Sequence, residues 1–132
     1  KNVLNIKPKI AVTGLNPHCE SFGNENKEKT EIIPAINFLK RKRVNVKGPF
    51  ASDTIFLKEN TKKFDVVFGM YHDQVLSPIK TLYGFNSINI TLGLPFLRIS
   101  PDHGPNVKML GKNKSDPASL IASINFFQNH GV

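Results

Sequence analysis

The sequence predicts an α/β fold in which a mostly parallel sheet carries helices on its faces. Two observations predict it. Short apolar runs rich in Val and Ile alternate with segments of helical period, the order that a parallel sheet with crossover helices requires. Polar residues with chemical capacity follow several of those runs directly, as in GMYHDQ at residues 69–74, where FDVVFGM ends. In open α/β sheets, ligands bind beyond the carboxyl ends of the strands.

KIAVTGL at residues 9–15 reads as the first strand, turning at Asn16 and Pro17 into the polar loop NPHCESFGNENKEK. TEIIPAINFLKRKR then places Ile32, Ile33, Ile36 and Leu39 at helical spacing. Pro34 is tolerable only in the first turn of that helix, which makes Thr30 the expected cap. VNVKGPF at residues 44–50 is a second strand, and SDTIF begins with a cap-like Ser52 or Asp53 before a lysine-rich helix. FDVVFGM is a third strand, apolar enough to be buried on both faces. DQVLSPIKTLYGF, interrupted by Pro78, is a shorter helix ending near Gly84. FNSINITL and LPFLRIS are two further β-like runs, and SDPASLIASINFFQNH is a closing amphipathic helix opened by Ser115 or Asp116.

The 132 residues, 39% hydrophobic, are long enough to bury one core, so residues 1–132 are expected to form a single α/β unit. Ten Phe, two Tyr and no Trp do not suggest a stacking surface for single-stranded nucleic acid; the Phe read as core. The net charge of +8 is spread over scattered lysines and one run, KRKR at residues 40–43. A basic chain recruits nucleic acid, an anionic membrane or small anionic substrates. KRKR also suits the C-terminal end of a helix, where cations are favoured. The single cysteine, Cys19, forms no internal disulfide, and no apolar run approaches the length of a membrane span or resembles a signal peptide. The cytoplasm is the expected compartment. The opening KNVLNIKPKI lacks an initiator Met and reaches a strand almost at once, which suggests a piece of a longer protein.

Four polar stretches follow strands: NPH, SD, YHDQ and PDHG. Strand ends of a parallel sheet that share one edge converge, and convergence is what a site requires. His18 and His72 are candidate ligands for a divalent first-row metal, with Asp73 placed to orient a ring. Their separation has no local ligand motif, so surface or capping roles stand beside that reading. Lys80, Asn89 and Arg98 are a second set, a point charge, an amide and a bidentate fork that suit phosphate and carboxylate. Arg98 sits in an apolar run; it is either such a ligand or the partner of an acid such as Asp102. The DHG at residues 102–104 and GKNKSDP at residues 111–117 form a turn-rich path to a helix N-terminus, where a phosphate or adenosine group fits.

Four blocks, in order and spacing, carry a family resemblance: GLNPH (14–18), GPFASDTIF (48–56), MYHDQ (70–74) and NITLGLPFLRISPDHG (89–104). Together they resemble the C-terminal portion of the 4-hydroxythreonine-4-phosphate dehydrogenases of pyridoxal phosphate (vitamin B6) biosynthesis. The resemblance covers nearly the whole chain and less than half of a full-length member, whose N-terminal part has no counterpart here. It implies a three-layer αβα, isocitrate/isopropylmalate-dehydrogenase-like fold, of which this chain is a fragment, and a homodimer with active sites at the subunit interface. The implied activity is NAD- or NADP-dependent oxidation of 4-hydroxythreonine 4-phosphate followed by decarboxylation, with a divalent metal such as Zn, Mg or Co. His18 and His72 match two of three metal-binding histidines, at a metal shared between subunits. Lys80, Asn89 and Arg98 match substrate-binding positions. Asp53 and Asp73 are the candidates for proton handling or for orienting a ligand, and His103 and Gly104 for cofactor contacts. Two stretches depart from the family pattern: CESFGNENKEK replaces a Gly-rich acidic loop, and PNVKMLGKN follows DHG in place of a small, apolar run.

The alternative from another class is a basic nucleic-acid-binding module gripping through KRKR and the lysines, with salt-sensitive binding. A third reading is a non-catalytic fragment that folds and dimerises without a complete site.

Overall fold

The computed structural model describes residues 6–19, 26–105 and 107–130. They fall into two compact units, Lys1–Pro78 and Ile79–Val132.

The first unit is built on a parallel sheet ordered β2-β1-β3. Strand β1 (Ile10–Thr13) lies at its centre, flanked by β2 (Val46–Phe50) and β3 (Val66–Phe68). Ala11, Val12 and Thr13 are buried, as a central strand requires. Strand β3 is different from the expectation of burial on both faces: it occupies a sheet edge, and Phe68 is 57% exposed. Gly48 lets β2 run against β1. Its φ is +144°, and a Cβ there would lie 2.4 Å from the Val12 carbonyl oxygen.

Between β1 and β2 the chain winds through a π turn, Glu28–Ile32, into α1 (Ile33–Arg41). Thr30 lies inside this turn and is not the cap. The Asn26 carboxamide Oδ1 accepts the Lys29 N–H at 3.1 Å, so the helical run begins four residues ahead of the expected position. Pro34 enters at the start of α1, where its missing N–H and its ring are accommodated by the wider preceding turn. Helix α1 packs on β2, and Ile32 and Ile36 join Val12 and Val46 in the core. Lys40 and Arg41 close its last turn, and the Lys42 ammonium lies 5.6 Å from the Phe38 ring centroid.

Ser52 and Asp53 open no helix. Residues 52–56 are a run of turns that buries Ile55, and α2 (Lys58–Thr61) is a single short helix after it. Helix α3 (His72–Tyr83) begins directly beyond β3 and ends on Gly84, whose φ of +57° suits the left-handed residue after a helix.

In the second unit, β4 (Ile88–Thr91) and β5 (Arg98–Pro101) pair antiparallel as a separate two-stranded sheet, with Asn89 opposite Ser100 and Thr91 opposite Arg98. Helix α4 (Ala118–His130) packs on both strands. Asp116 Oδ1 accepts the Ala118 N–H at 2.9 Å and closes its first turn. The amphipathic pattern of α4 is inverted: Ser119 and Ser123 are buried, while Leu120, Ile121, Ile124 and Phe127 are each about half exposed. The serines go inward because their hydroxyls have partners there. Ser119 Oγ donates to the Ser87 carbonyl at 2.5 Å and accepts the Asp102 N–H at 2.9 Å, and Ser123 Oγ donates to the Ser119 carbonyl at 2.8 Å. The expectation that the Phe are core is corrected likewise: Phe38, Phe68, Phe85, Phe96 and Phe127 are all more than half exposed among the described residues.

Candidate functional site

Three of the four polar stretches leave the carboxyl edge of the parallel sheet: NPH after β1, SD after β2 and YHDQ after β3. The fourth, PDHG, follows β5 of the antiparallel pair. A parallel sheet brings successive strand ends to one side, so the three stretches meet without any local spacing in the sequence.

The NPH turn is shaped by its own residues. Asn16 Oδ1 accepts the His18 N–H at 2.9 Å and the Asn16 carbonyl accepts the Cys19 N–H at 3.0 Å, a tight turn for which Pro17 supplies the fixed φ. Cys19 completes it at a φ of +58°. The Asn16 N–H in turn donates to Glu28 Oε1 at 2.7 Å, which anchors the turn to the start of the helical run.

The turn is also tied to the SD stretch. Gly14 N donates to the Phe50 carbonyl at 3.0 Å, Ser52 N donates to the Pro17 carbonyl at 3.0 Å, and His18 Nδ1 lies 3.0 Å from Asp53 Oδ2. The carboxylate found beside the His18 ring is therefore Asp53, whereas Asp73 stands exposed in the first turn of α3, a favourable place for a negative charge. His72 is exposed at the first position of that helix.

Cys19 is half-buried at the end of this turn. Burial pushes its thiol above the ordinary range, with a contribution from the Glu28 and Asp53 carboxylates, against a smaller opposing effect of a hydrogen bond with the Gly14 backbone.

No group of three or more His, Cys, Asp or Glu side chains able to hold a metal is assembled among the described residues. The residues present fit part of a coordination sphere. With Nδ1 engaged by a carboxylate, the His18 ring presents Nε2 outward, and its side chain is 71% exposed, an arrangement common to metal-binding histidines.

In the second unit, the Lys80 ammonium lies 2.9 Å from Asp102 Oδ2 and also donates to the Asp102 carbonyl. Ser87 Oγ donates to the same carboxylate oxygen at 2.6 Å. These bonds, Ser87 foremost and then Lys80, hold the Asp102 carboxyl below the usual carboxylate range. Asp102 is thus the partner of Lys80 and not of Arg98. Arg98 is exposed and donates from Nη1 to Thr91 Oγ1 at 2.8 Å. The antiparallel register places Asn89, Thr91, Arg98 and Ser100 on one face of the hairpin, so Asn89 and Arg98 share it. His103 and Gly104 are exposed in the loop beyond, with His103 Nδ1 3.2 Å from the Gly104 carbonyl oxygen. Residues 20–25, within the departing CESFGNENKEK loop, and Asn106, within PNVKMLGKN, lie outside the described residues.

Glu28 and Gln74 had no role assigned from sequence. Glu28 falls at the end of a stretch that reads as polar loop, and nothing in its neighbours marks its burial. Gln74 stands inside the YHDQ block, where a half-buried carboxamide two residues past a histidine was the available signal.

A parallel α/β sheet whose carboxyl edge gathers histidines and carboxylates defines a protein of the strand-end ligand-binding class. The sequence profile described as PdxA, pyridoxal phosphate biosynthetic protein PdxA, matches residues 1–127, and the chain belongs to that family. It is 44% identical over 119 residues to a 4-hydroxythreonine-4-phosphate dehydrogenase of Bradyrhizobium diazoefficiens, a match covering 89% of this chain and 34% of that protein. A protein of the same name from a Sulfurihydrogenibium species is 46% identical, with 89% of this chain and 36% of that protein covered. Among solved structures, the 4-hydroxythreonine-4-phosphate dehydrogenase of Klebsiella pneumoniae superposes with a TM-score of 0.74 at 38% identity, over 93% of this chain and 38% of that one. The chain spans about a third of the length of the curated relatives it matches, and its α/β fold is a fragment of theirs.

Proposed function

We propose that this chain is the C-terminal portion of an NAD- or NADP-dependent, divalent-metal-dependent dehydrogenase that oxidises and decarboxylates 4-hydroxythreonine 4-phosphate in pyridoxal phosphate biosynthesis. The observation that carries the reading is the strand-end edge itself, where NPH, SD and YHDQ leave three neighbouring parallel strands and Asp53 engages His18 at 3.0 Å. Membership of the family supports the substrate and the reaction class.

In this reading His18 and His72 hold the metal, be it Zn, Mg or Co, and the remaining ligand comes from outside this sequence, at a site shared across a homodimer interface. A divalent ion there supplies Lewis-acid polarisation of the substrate oxygen. Asp53 keeps the His18 ring in the tautomer that leaves Nε2 free. Asp73, exposed at the same edge, is the second candidate for moving a proton. Lys80, Asn89 and Arg98 take the anionic and polar groups of the substrate, Arg98 with a guanidinium already steadied by Thr91. His103 and Gly104 are assigned to the nucleotide. The enzyme works in the cytoplasm, and the chain alone, lacking a metal ligand, is inactive.

The test is NAD(P)H formation from 4-hydroxythreonine 4-phosphate, by this chain alone and by a chimera joining it to the part of a relative that lies outside the match. Turnover by the chimera that a chelator abolishes, with none by the isolated chain, is the expected result. A folded chimera that binds metal and nucleotide yet oxidises nothing would overturn the substrate assignment.

A further inference from the structure

The Lys80 ammonium and the Asp102 carboxylate act as one charged unit. Lys80 donates to Asp102 at both Oδ2 and the carbonyl, which leaves one of the ammonium's three N–H groups for a ligand. The Phe85 ring centroid lies 5.5 Å from the same ammonium. Asp102 is held in its turn: Oδ2 also accepts the Ser87 hydroxyl at 2.6 Å, and the Asp102 N–H donates to Ser119 Oγ at 2.9 Å. Among the described residues every bond of this carboxylate falls on Oδ2, and Oδ1 is left for a ligand. Both side chains are half-buried, seated and still open on one part of their surface.

The residues assigned to the substrate leave one of its groups unmet. The compound 4-hydroxythreonine 4-phosphate is an α-amino acid, so it carries an ammonium beside its carboxylate, hydroxyls and phosphate. Lys80 and Arg98 are cations and Asn89 is neutral, whereas an ammonium drawn out of water demands a carboxylate. The second unit holds two acidic side chains, Asp102 and Asp116. Asp116 is engaged at the first turn of α4, where its Oδ1 accepts the Ala118 N–H. Asp102 already touches a residue assigned to the substrate. Ser87 first, and then Lys80, hold its carboxyl below the usual range, so it meets a ligand as an anion.

We propose that Asp102 is a specificity-determining residue whose Oδ1 accepts the substrate's ammonium while Lys80 donates to a neighbouring anionic group. The proposal rests on the reading that Lys80 touches the substrate. Opposite charges held side by side match a zwitterion and not a plain anion. A ligand without the amine meets Asp102 as a repulsion, so the pair selects by what it rejects as well as by what it binds.

The test compares two ligands that differ only in the amine, O-phospho-L-homoserine and 4-phosphooxybutyrate. Each is titrated into the 132-residue chain while NMR follows the Lys80 ammonium resonance, with the amide spectrum reporting the fold. The wild type should bind the amine-bearing ligand about tenfold or more tightly than the other, the usual worth of a hydrogen bond between charged groups. Asp102→Asn, which keeps the shape and an acceptor for Ser87 and Lys80, should bring the two constants together, chiefly by weakening the amine-bearing ligand. Should that variant fail to fold, Ser87→Ala, which loosens the carboxylate and keeps its charge, decides by a fall in the same preference. Equal constants in the wild type overturn the proposal and leave the Lys80 reading standing. So does a preference that survives Asp102→Asn with both ligands weakened alike, the mark of a merely structural role. A wild-type Lys80 resonance that neither ligand moves overturns both.

Discussion

Asp53 Oδ2 sits 3.0 Å from His18 Nδ1, joining a residue five positions past Thr13 at the end of β1 to one three positions past Phe50 at the end of β2. The contact decides which ring nitrogen faces outward. In the neutral imidazole one nitrogen donates and the other accepts, and a carboxylate beside Nδ1 selects the form protonated there. Nitrogen NMR of the imidazole is expected to show His18 as the Nδ1–H tautomer, and Asp53→Ala is expected to shift the proton toward Nε2. An unchanged tautomer would show that the pair does no orienting.

Gly48→Ala is expected to be among the most damaging small substitutions in the first unit. The new methyl would meet the Val12 carbonyl oxygen at 2.4 Å on a backbone at φ +144°. Chemical denaturation should register a loss of about 1–3 kcal/mol, the cost of holding a non-glycine residue in that region, before any displacement of β1.

Asp102 makes stability depend on acid. Its carboxyl is held below the ordinary value of 3.8, chiefly by Ser87 and then by Lys80, so the folded state favours the ionised form. A depressed pKa contributes stability that is present above the unfolded value and is lost as the pH falls through the folded one. Unfolding curves should therefore lose stability below about pH 4 more steeply in the wild type than in Asp102→Asn. Asp102→Ala, which strips the Ser87 hydroxyl and Lys80 of their acceptor, should cost about 1–3 kcal/mol at neutral pH.

Much of the fold was legible because β1 and β2 are short runs with clear turn chemistry at their ends, and NPH and SD are set by Pro17, Gly48 and the strand ends they follow. The helix before β2 was legible in type and not in onset. Thr30 has the residue type of a cap, but Asn26 reached the first free amides earlier. Strand β3 carries a buried strand's composition while sitting at an edge, a position that depends on the rest of the sheet and leaves no mark in seven residues. Helix α4 misled for a related reason: periodicity reports two faces, and Ser119 turns inward for a hydrogen-bond network with Ser87 and Asp102 that spans more than thirty residues. The pairing of Lys80 with Asp102, and of His18 with Asp53 rather than an association with Asp73, likewise depends on contacts between distant segments. Types of residue were visible; partners were not.

Cys19 should react slowly. Its thiol is pushed up by burial and by the Glu28 and Asp53 carboxylates, and alkylation proceeds through the thiolate. At pH 8 iodoacetamide should modify it more slowly than an unhindered model thiol, and the rate should still be climbing at a pH where the model thiol has levelled off. Levelling at the same pH would show the thiol to be unperturbed.

The central claim, that the strand-end histidines of this chain hold the metal of a dehydrogenase, is tested most directly by one rate. In the chimera completed with a relative's remaining portion, NAD(P)H formation from 4-hydroxythreonine 4-phosphate is measured before and after His72→Ala. The account predicts a fall of about 10²–10³ or more, the usual cost of losing one electrostatic contact to the reacting oxygen, with the bound metal lost alongside. A His72→Ala enzyme that turns over at the unsubstituted rate would contradict it.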